Sequence, residues 1–260
     1  MDFAYTLSGF VVGFIVGLTG VGGGSLMTPL LVLVFGVNPA IAVGTDLLYA
    51  AITKCGGILV HHKQRTIDWR IVRLMGAGSL PGAVLTLLAL RHFQQEGMDY
   101  TALITSTLGV ALILTSLVLL FKHQLLELSY REPFQAVRAV HRQLKGPATV
   151  LVGLVIGVLV TLSSVGAGAL GAAALFFLYP RLPAVSIVGS DLAHAVPLTA
   201  VAGLGHAHLG AVDFVLLGNL LLGSLPGIYL GSHLGVRLPD QVVRPILASM
   251  LLFIGIRFAL

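Results

Sequence analysis

Two aspartates stand inside apolar runs in matching contexts, Val43-Gly44-Thr45-Asp46-Leu47 and Val188-Gly189-Ser190-Asp191-Leu192. An ionised carboxylate at the centre of a membrane helix costs about 2.5–3.5 kcal/mol, so such a residue faces a bundle interior or water. Asp46 and Asp191 are therefore expected to hold and release protons. The structural alternative is that they cap local helix breaks with Thr45 and Ser190. His194 lies three residues after Asp191 on the same helical face, where it can join a proton relay. Lys54, two turns beyond Asp46, can neutralise an anion or pair with an aspartate, but the nearby basic loop favours snorkelling.

A second chemistry comes from two glycine-rich breaks, Gly20-Val21-Gly22-Gly23-Gly24-Ser25 and Val165-Gly166-Ala167-Gly168. A half-helix starting at such a break presents unpaired N–H groups and the positive end of its dipole. Small residues let an anion approach that backbone closely. The expected substrate-binding set is Gly22, Gly23, Gly24, Ser25, Gly166, Ala167 and Gly168, with hydroxyls from Thr45 and Ser190. Nucleotide readings fail, because no strand precedes the breaks and a terminal Lys-Ser/Thr is missing. No metal site and no cofactor are predicted, and His61, His62, His206 and His208 read as interfacial. A rival reading uses Asp46, Asp191 and His194 to carry a divalent metal or another cation. With no His-Glu-x-x-His and no Gly-x-Ser-x-Gly, an enzyme is not expected.

The elements that must position these residues follow from composition. The chain has 260 residues, 57% hydrophobic and only 10% charged, with a mean hydropathy of +0.99. Soluble domains carry roughly 25% charged residues, so this is an all-α integral membrane protein, with the lipid bilayer as its partner. The +5 balance reports cytoplasmic loops and not a nucleic-acid partner. The single Cys55 excludes an internal disulfide and reads as a buried thiol. Met1-Asp2-Phe3 lacks a basic n-region, so the first apolar run is expected to be retained.

The pattern occurs twice. Gly9-x-x-x-Gly13 returns as Gly153-x-x-x-Gly157, and Gly78-Ser79-Leu80-Pro81-Gly82 returns unchanged as Gly223-Ser224-Leu225-Pro226-Gly227. Residues 1–121 and 147–260 are read as two transmembrane repeats, joined by a cytoplasmic amphipathic linker, 122–146. Lys63, Arg65 and Arg70 mark the 61–70 loop as cytoplasmic, while its counterpart, 206–213, has no lysine or arginine. The repeats are therefore expected to be inverted, each crossing the membrane an odd number of times. That requires 4–35 and 148–179 to be glycine-broken re-entrant hairpins, each followed by three transmembrane helices. The competing reading is a broken but fully spanning first helix, with parallel repeats.

The constellation resembles the sulfite exporter TauE/SafE family. It does so through Gly9-x-x-x-Gly13-x-x-x-Gly17, Gly20-Val21-Gly22-Gly23-Gly24, Pro29, Ala42-Val43-Gly44-Thr45, His61, Ile67-Asp68-Trp69 and Gly78-x-x-x-Gly82. The resemblance implies a secondary transporter of the cytoplasmic (inner) membrane that exports small sulfur-containing anions such as sulfite or organosulfonates. Asp46 and Asp191 depart from the family pattern, which often has Ser or Asn after Gly-Thr. They imply coupling to protons or a different cargo. A monomer or homodimer is expected.

Overall fold

The computed structural model describes residues 3–19, 24–121, 124, 135–235 and 240–259. Among them are ten helices: α1 (Phe3–Thr19), α2 (Gly24–Leu33), α3 (Pro39–Lys63), α4 (Trp69–Gln95) and α5 (Thr101–Leu120) come first, then α6 (Gln135–Ser163), α7 (Ala169–Leu178), α8 (Ala184–His208), α9 (Phe214–Gly235) and α10 (Asp240–Ala259). Six of these, α3, α4, α5, α8, α9 and the Leu144–Ser163 part of α6, are long and apolar enough to cross a membrane. An all-helical, multi-pass membrane fold is the result.

Local chemistry sets the helix ends. Asp68 caps α4 by accepting from the N–H groups of Arg70 and Ile71, at 2.9 and 3.3 Å. Asp213 does the same for α9, accepting from Val215 and Leu216, both at 2.9 Å. These carboxylates satisfy N–H groups that have no partner inside the helix. Asn38 accepts from Ala40 N–H at 2.9 Å, and Pro39 opens α3 where its missing N–H costs nothing.

Lipid tails are as apolar as leucine, so helices in a membrane associate through close packing rather than hydrophobic burial. Glycine provides that closeness here, and it does so between the halves. In α1, Gly9, Gly13 and Gly17 lie against the α9 backbone at Leu220, Ser224 and Ile228. In α6, Gly153 and Gly157 lie against the α4 backbone at Met75 and Ser79. A Cβ at any of these glycines would overlap a facing carbonyl. Each half thus packs its first helix on the fourth helix of the other half, in parallel.

The third and fifth helices of each half meet their own counterparts in antiparallel fashion. Gly57 of α3 touches Leu192 of α8, and Gly203 of α8 touches Leu48 of α3. Likewise Gly109 of α5 lies against Ala259, and Gly255 of α10 against Ile113.

The hairpin regions differ from two equal half-helices. α2 and α7 have 10 residues each, about 15 Å at 1.5 Å per residue and half of a ~30 Å hydrocarbon core. Their partner arms are longer, 17 residues in α1 and 29 in α6. α6 runs unbroken from Gln135, so residues 135–146 of the expected linker begin the first helix of the second half. The hydroxyls of Thr149 and Tyr179 share a hydrogen bond of 2.9 Å, and Lys145 Nζ stands 4.1 Å over the Tyr179 ring. These contacts return the end of α7 to the level where the apolar part of α6 begins. The first glycine break, Gly20 to Gly23, lies outside the described residues. Cys55, expected to be buried, is exposed on α3, its thiol donating to the Ala51 carbonyl at 3.2 Å.

Candidate functional site

The break between α6 and α7 is a backbone turn that only small residues can make comfortably. Gly166 and Gly168 have φ of 118° and 137°, and Ser164, at 58°, adopts the left-handed region that costs a side-chain-bearing residue energy. Ser163 steadies the turn: its Oγ donates to the Leu159 carbonyl at 2.6 Å and accepts from Val165 N–H at 3.2 Å. Gly168 then starts α7 with no capping side chain.

Both aspartates meet this region. Asp46 is fully buried on α3; Thr28 of α2 donates to its Oδ2 at 2.5 Å, and Ser164 of the turn stands beside it. Asp191 is buried on α8 and lies so close to Gly171 of α7 that a Cβ there would collide with its carboxylate. Asp46 Oδ1 and Asp191 Oδ1 have no hydrogen-bond partner among the described residues. Each carboxylate therefore packs on the short helix of its own half.

Lys54 joins them. Its Nζ donates to the Ala167 carbonyl at 2.9 Å, reaching from α3 across to the second-half turn. With 8% exposure it is the single buried lysine or arginine among the described residues, and the snorkelling expectation is corrected. Its electrostatic partners are Asp191 and Asp46. The reason lies in helix rotation: Lys54 is on the Asp46 face, which looks into the bundle.

The other expected residues fall as follows. Gly22 and Gly23 lie outside the described residues, while Gly24 and Ser25 form the first turn of α2. In the second turn Ala167 offers its carbonyl to Lys54. Thr45 and Ser190 are engaged across the halves. Asp213 N–H donates to Thr45 Oγ1 at 3.1 Å, and Asp68 N–H donates to Ser190 Oγ at 2.8 Å. Because α3 and α8 are antiparallel, these two cross-links sit at opposite ends of the pair.

His194 is buried and turned toward α4, its Nε2 sharing a hydrogen bond of 2.7 Å with Ser79 Oγ. Among the described residues no three His, Cys, Asp or Glu side chains converge, so Asp46, Asp191 and His194 do not form a metal-binding group. His206, expected at the interface, is instead buried, donating from Nε2 to the Thr161 carbonyl at 2.9 Å. Sequence reasoning missed Thr28 and Ser164 altogether. Both are small hydroxyl residues in apolar surroundings, which ordinarily bond to their own backbone.

A family model described as sulfite exporter TauE/SafE matches residues 5–258. The chain belongs to this family. It is 40% identical to the probable membrane transporter protein YjnA of Bacillus subtilis, over 99% of both chains. A probable membrane transporter protein of Xylella fastidiosa is 30% identical, covering 89% of this chain and 84% of its own. YdhB of Bacillus subtilis, also named a probable membrane transporter protein, is 28% identical over 94% and 96%. No solved structure matches. As a member of the TauE/SafE family, with six helices among the described residues long and apolar enough to cross a membrane, the protein is a multi-pass membrane transporter and not an enzyme.

Proposed function

We propose that this transporter exports small sulfur-containing anions, sulfite or organosulfonates, across the cytoplasmic membrane by proton-coupled alternating access. The observation that carries the reading is the meeting of Asp46 and Asp191 with the uncapped turn Ser164–Gly168. The turn's backbone donors suit an anion, whose oxygens only accept. Two ionised carboxylates beside them would repel it. Protonating Asp191 or Asp46 removes that repulsion, so anion and proton bind together; His194 relays the proton. On this reading the halves are inverted repeats, α6–α7 and α1–α2 are re-entrant, and the 61–70 loop is cytoplasmic. The antiparallel contacts of α3 with α8, and of α5 with α10, support the inversion.

The test is flux of labelled sulfite and a panel of sulfonates in proteoliposomes, with and without a pH gradient. Acidifying the compartment that holds the anion should accelerate wild-type flux, and Asp191→Asn should abolish the response. Flux indifferent to the gradient would remove proton coupling; no flux of any sulfur anion would remove the cargo assignment.

A further inference from the structure

The two halves align around the carboxylates, and between residues 45 and 54 one aligned pair differs in formal charge. Asp46 corresponds to Asp191, Thr45 to Ser190 and Tyr49 to His194, but Lys54 corresponds to Thr199. Thr199 spends its hydroxyl on the Ala195 carbonyl one turn back, at 2.9 Å. Lys54 instead places its amino group inside the protein. Its one hydrogen bond among the described residues goes to the neutral Ala167 carbonyl, and no carboxylate there is within ion-pair distance. An ammonium has three donors, so two point elsewhere. A buried amine that feels two carboxylates but hydrogen-bonds to neither has unmet donors, and leaving them unmet is costly. Around it stand the uncapped start of α7 and the unpartnered Asp191 Oδ1.

Resting on the transporter reading above, we infer that Lys54 is the seat of the transported anion. There is one seat per chain, and it selects singly charged oxyanions, sulfonates or hydrogensulfite, over doubly charged ones. The remaining N–H groups of Lys54 and those of Ala169 and Leu170 bind the anion's oxygens, since Gly171 and Ala172 already donate to the Gly166 and Gly168 carbonyls. Asp191 and Asp46 limit the charge: with both protonated, the single ammonium balances a monoanion, whereas a dianion leaves one negative charge uncompensated inside the protein.

Calorimetric titration of the full-length protein in lipid nanodiscs, with methanesulfonate and with sulfate, tests this. Wild type should bind one methanesulfonate per chain, and sulfate at least tenfold more weakly. Lys54→Gln, checked for unchanged elution and melting, should weaken methanesulfonate at least thirtyfold. Lys54→Arg keeps the charge in a forked donor; it should retain methanesulfonate binding within about tenfold and keep the preference over sulfate, because the charge sets that preference. Should Lys54→Gln not fold, the arginine variant decides, and a lost preference over sulfate overturns the seat. Lys54→Gln binding within threefold of wild type, with its melting temperature lowered, would make Lys54 a structural clamp on the turn and overturn the inference. Sulfite flux in wild type would still stand in that case. Absence of both flux and binding for every sulfur anion would instead overturn the transporter reading on which the seat depends.

Discussion

Gly171 is the residue through which α7 and Asp191 touch, and it admits nothing larger. Gly171→Ala should displace the carboxylate and lower transport at least tenfold, measured as initial flux at equal protein in the membrane. Gly218, on α9, meets nothing within 4 Å of where a Cβ would stand. Gly218→Ala should leave transport unchanged and stabilise the helix by about 0.5–1 kcal/mol, since only backbone freedom is lost. Thermal melts in detergent read the difference. Asp46 and Asp191 were legible from the sequence, because a carboxylate in an apolar run is expensive wherever the helix turns. Lys54 was not, since its distance from the basic loop along the chain fitted snorkelling, and only the rotation of α3 against the α6–α7 turn decides where the side chain goes. His206 was misjudged for the same reason: it ends a helix, yet the Thr161 carbonyl of a neighbouring helix covers it.

At the scale of elements, the two cross-half bonds act as latches at the two ends of the α3–α8 pair. Thr45 holds the loop before α9 beside Asp46, and Ser190 holds the loop before α4 beside Asp191. Both bonds are formed together here. Thr45→Val removes one hydrogen bond and Ser190→Ala two, since Ser190 Oγ also donates to the Ser186 carbonyl at 2.7 Å; each is worth about 1 kcal/mol. The two variants should open opposite ends, so the apparent KM measured from the two sides of a proteoliposome should shift in opposite directions. Shifts of the same sign in both would argue that the bonds merely brace the bundle. The all-helical class and the long apolar spans could be read from hydropathy. The unequal arms of the hairpins could not. Apolarity alone does not say where α6 begins, and it continues back from the apolar stretch to Gln135.

Across the whole molecule, the exchange of first helices between the halves makes neither half complete. Residues 1–121 lack the α9 surface on which α1 packs, and residues 122–260 lack α4, the seat of α6. Co-expressed as two chains, they should co-purify and restore flux, whereas either alone should be degraded or aggregate. Separate folding of one half, seen as a cooperative melt on its own, would contradict that dependence. The exchange also has a bearing on synthesis. α1 is made long before α9. At roughly 5–20 residues per second the ribosome takes on the order of 10–40 s to travel between them. During that interval the glycine face of α1 must be sheltered by lipid or by the insertion machinery. A nascent chain stalled before Gly223 should therefore cross-link to the insertase from Thr6→Cys, a residue of α1 that lies against Gly223, and one released after α9 should cross-link within itself.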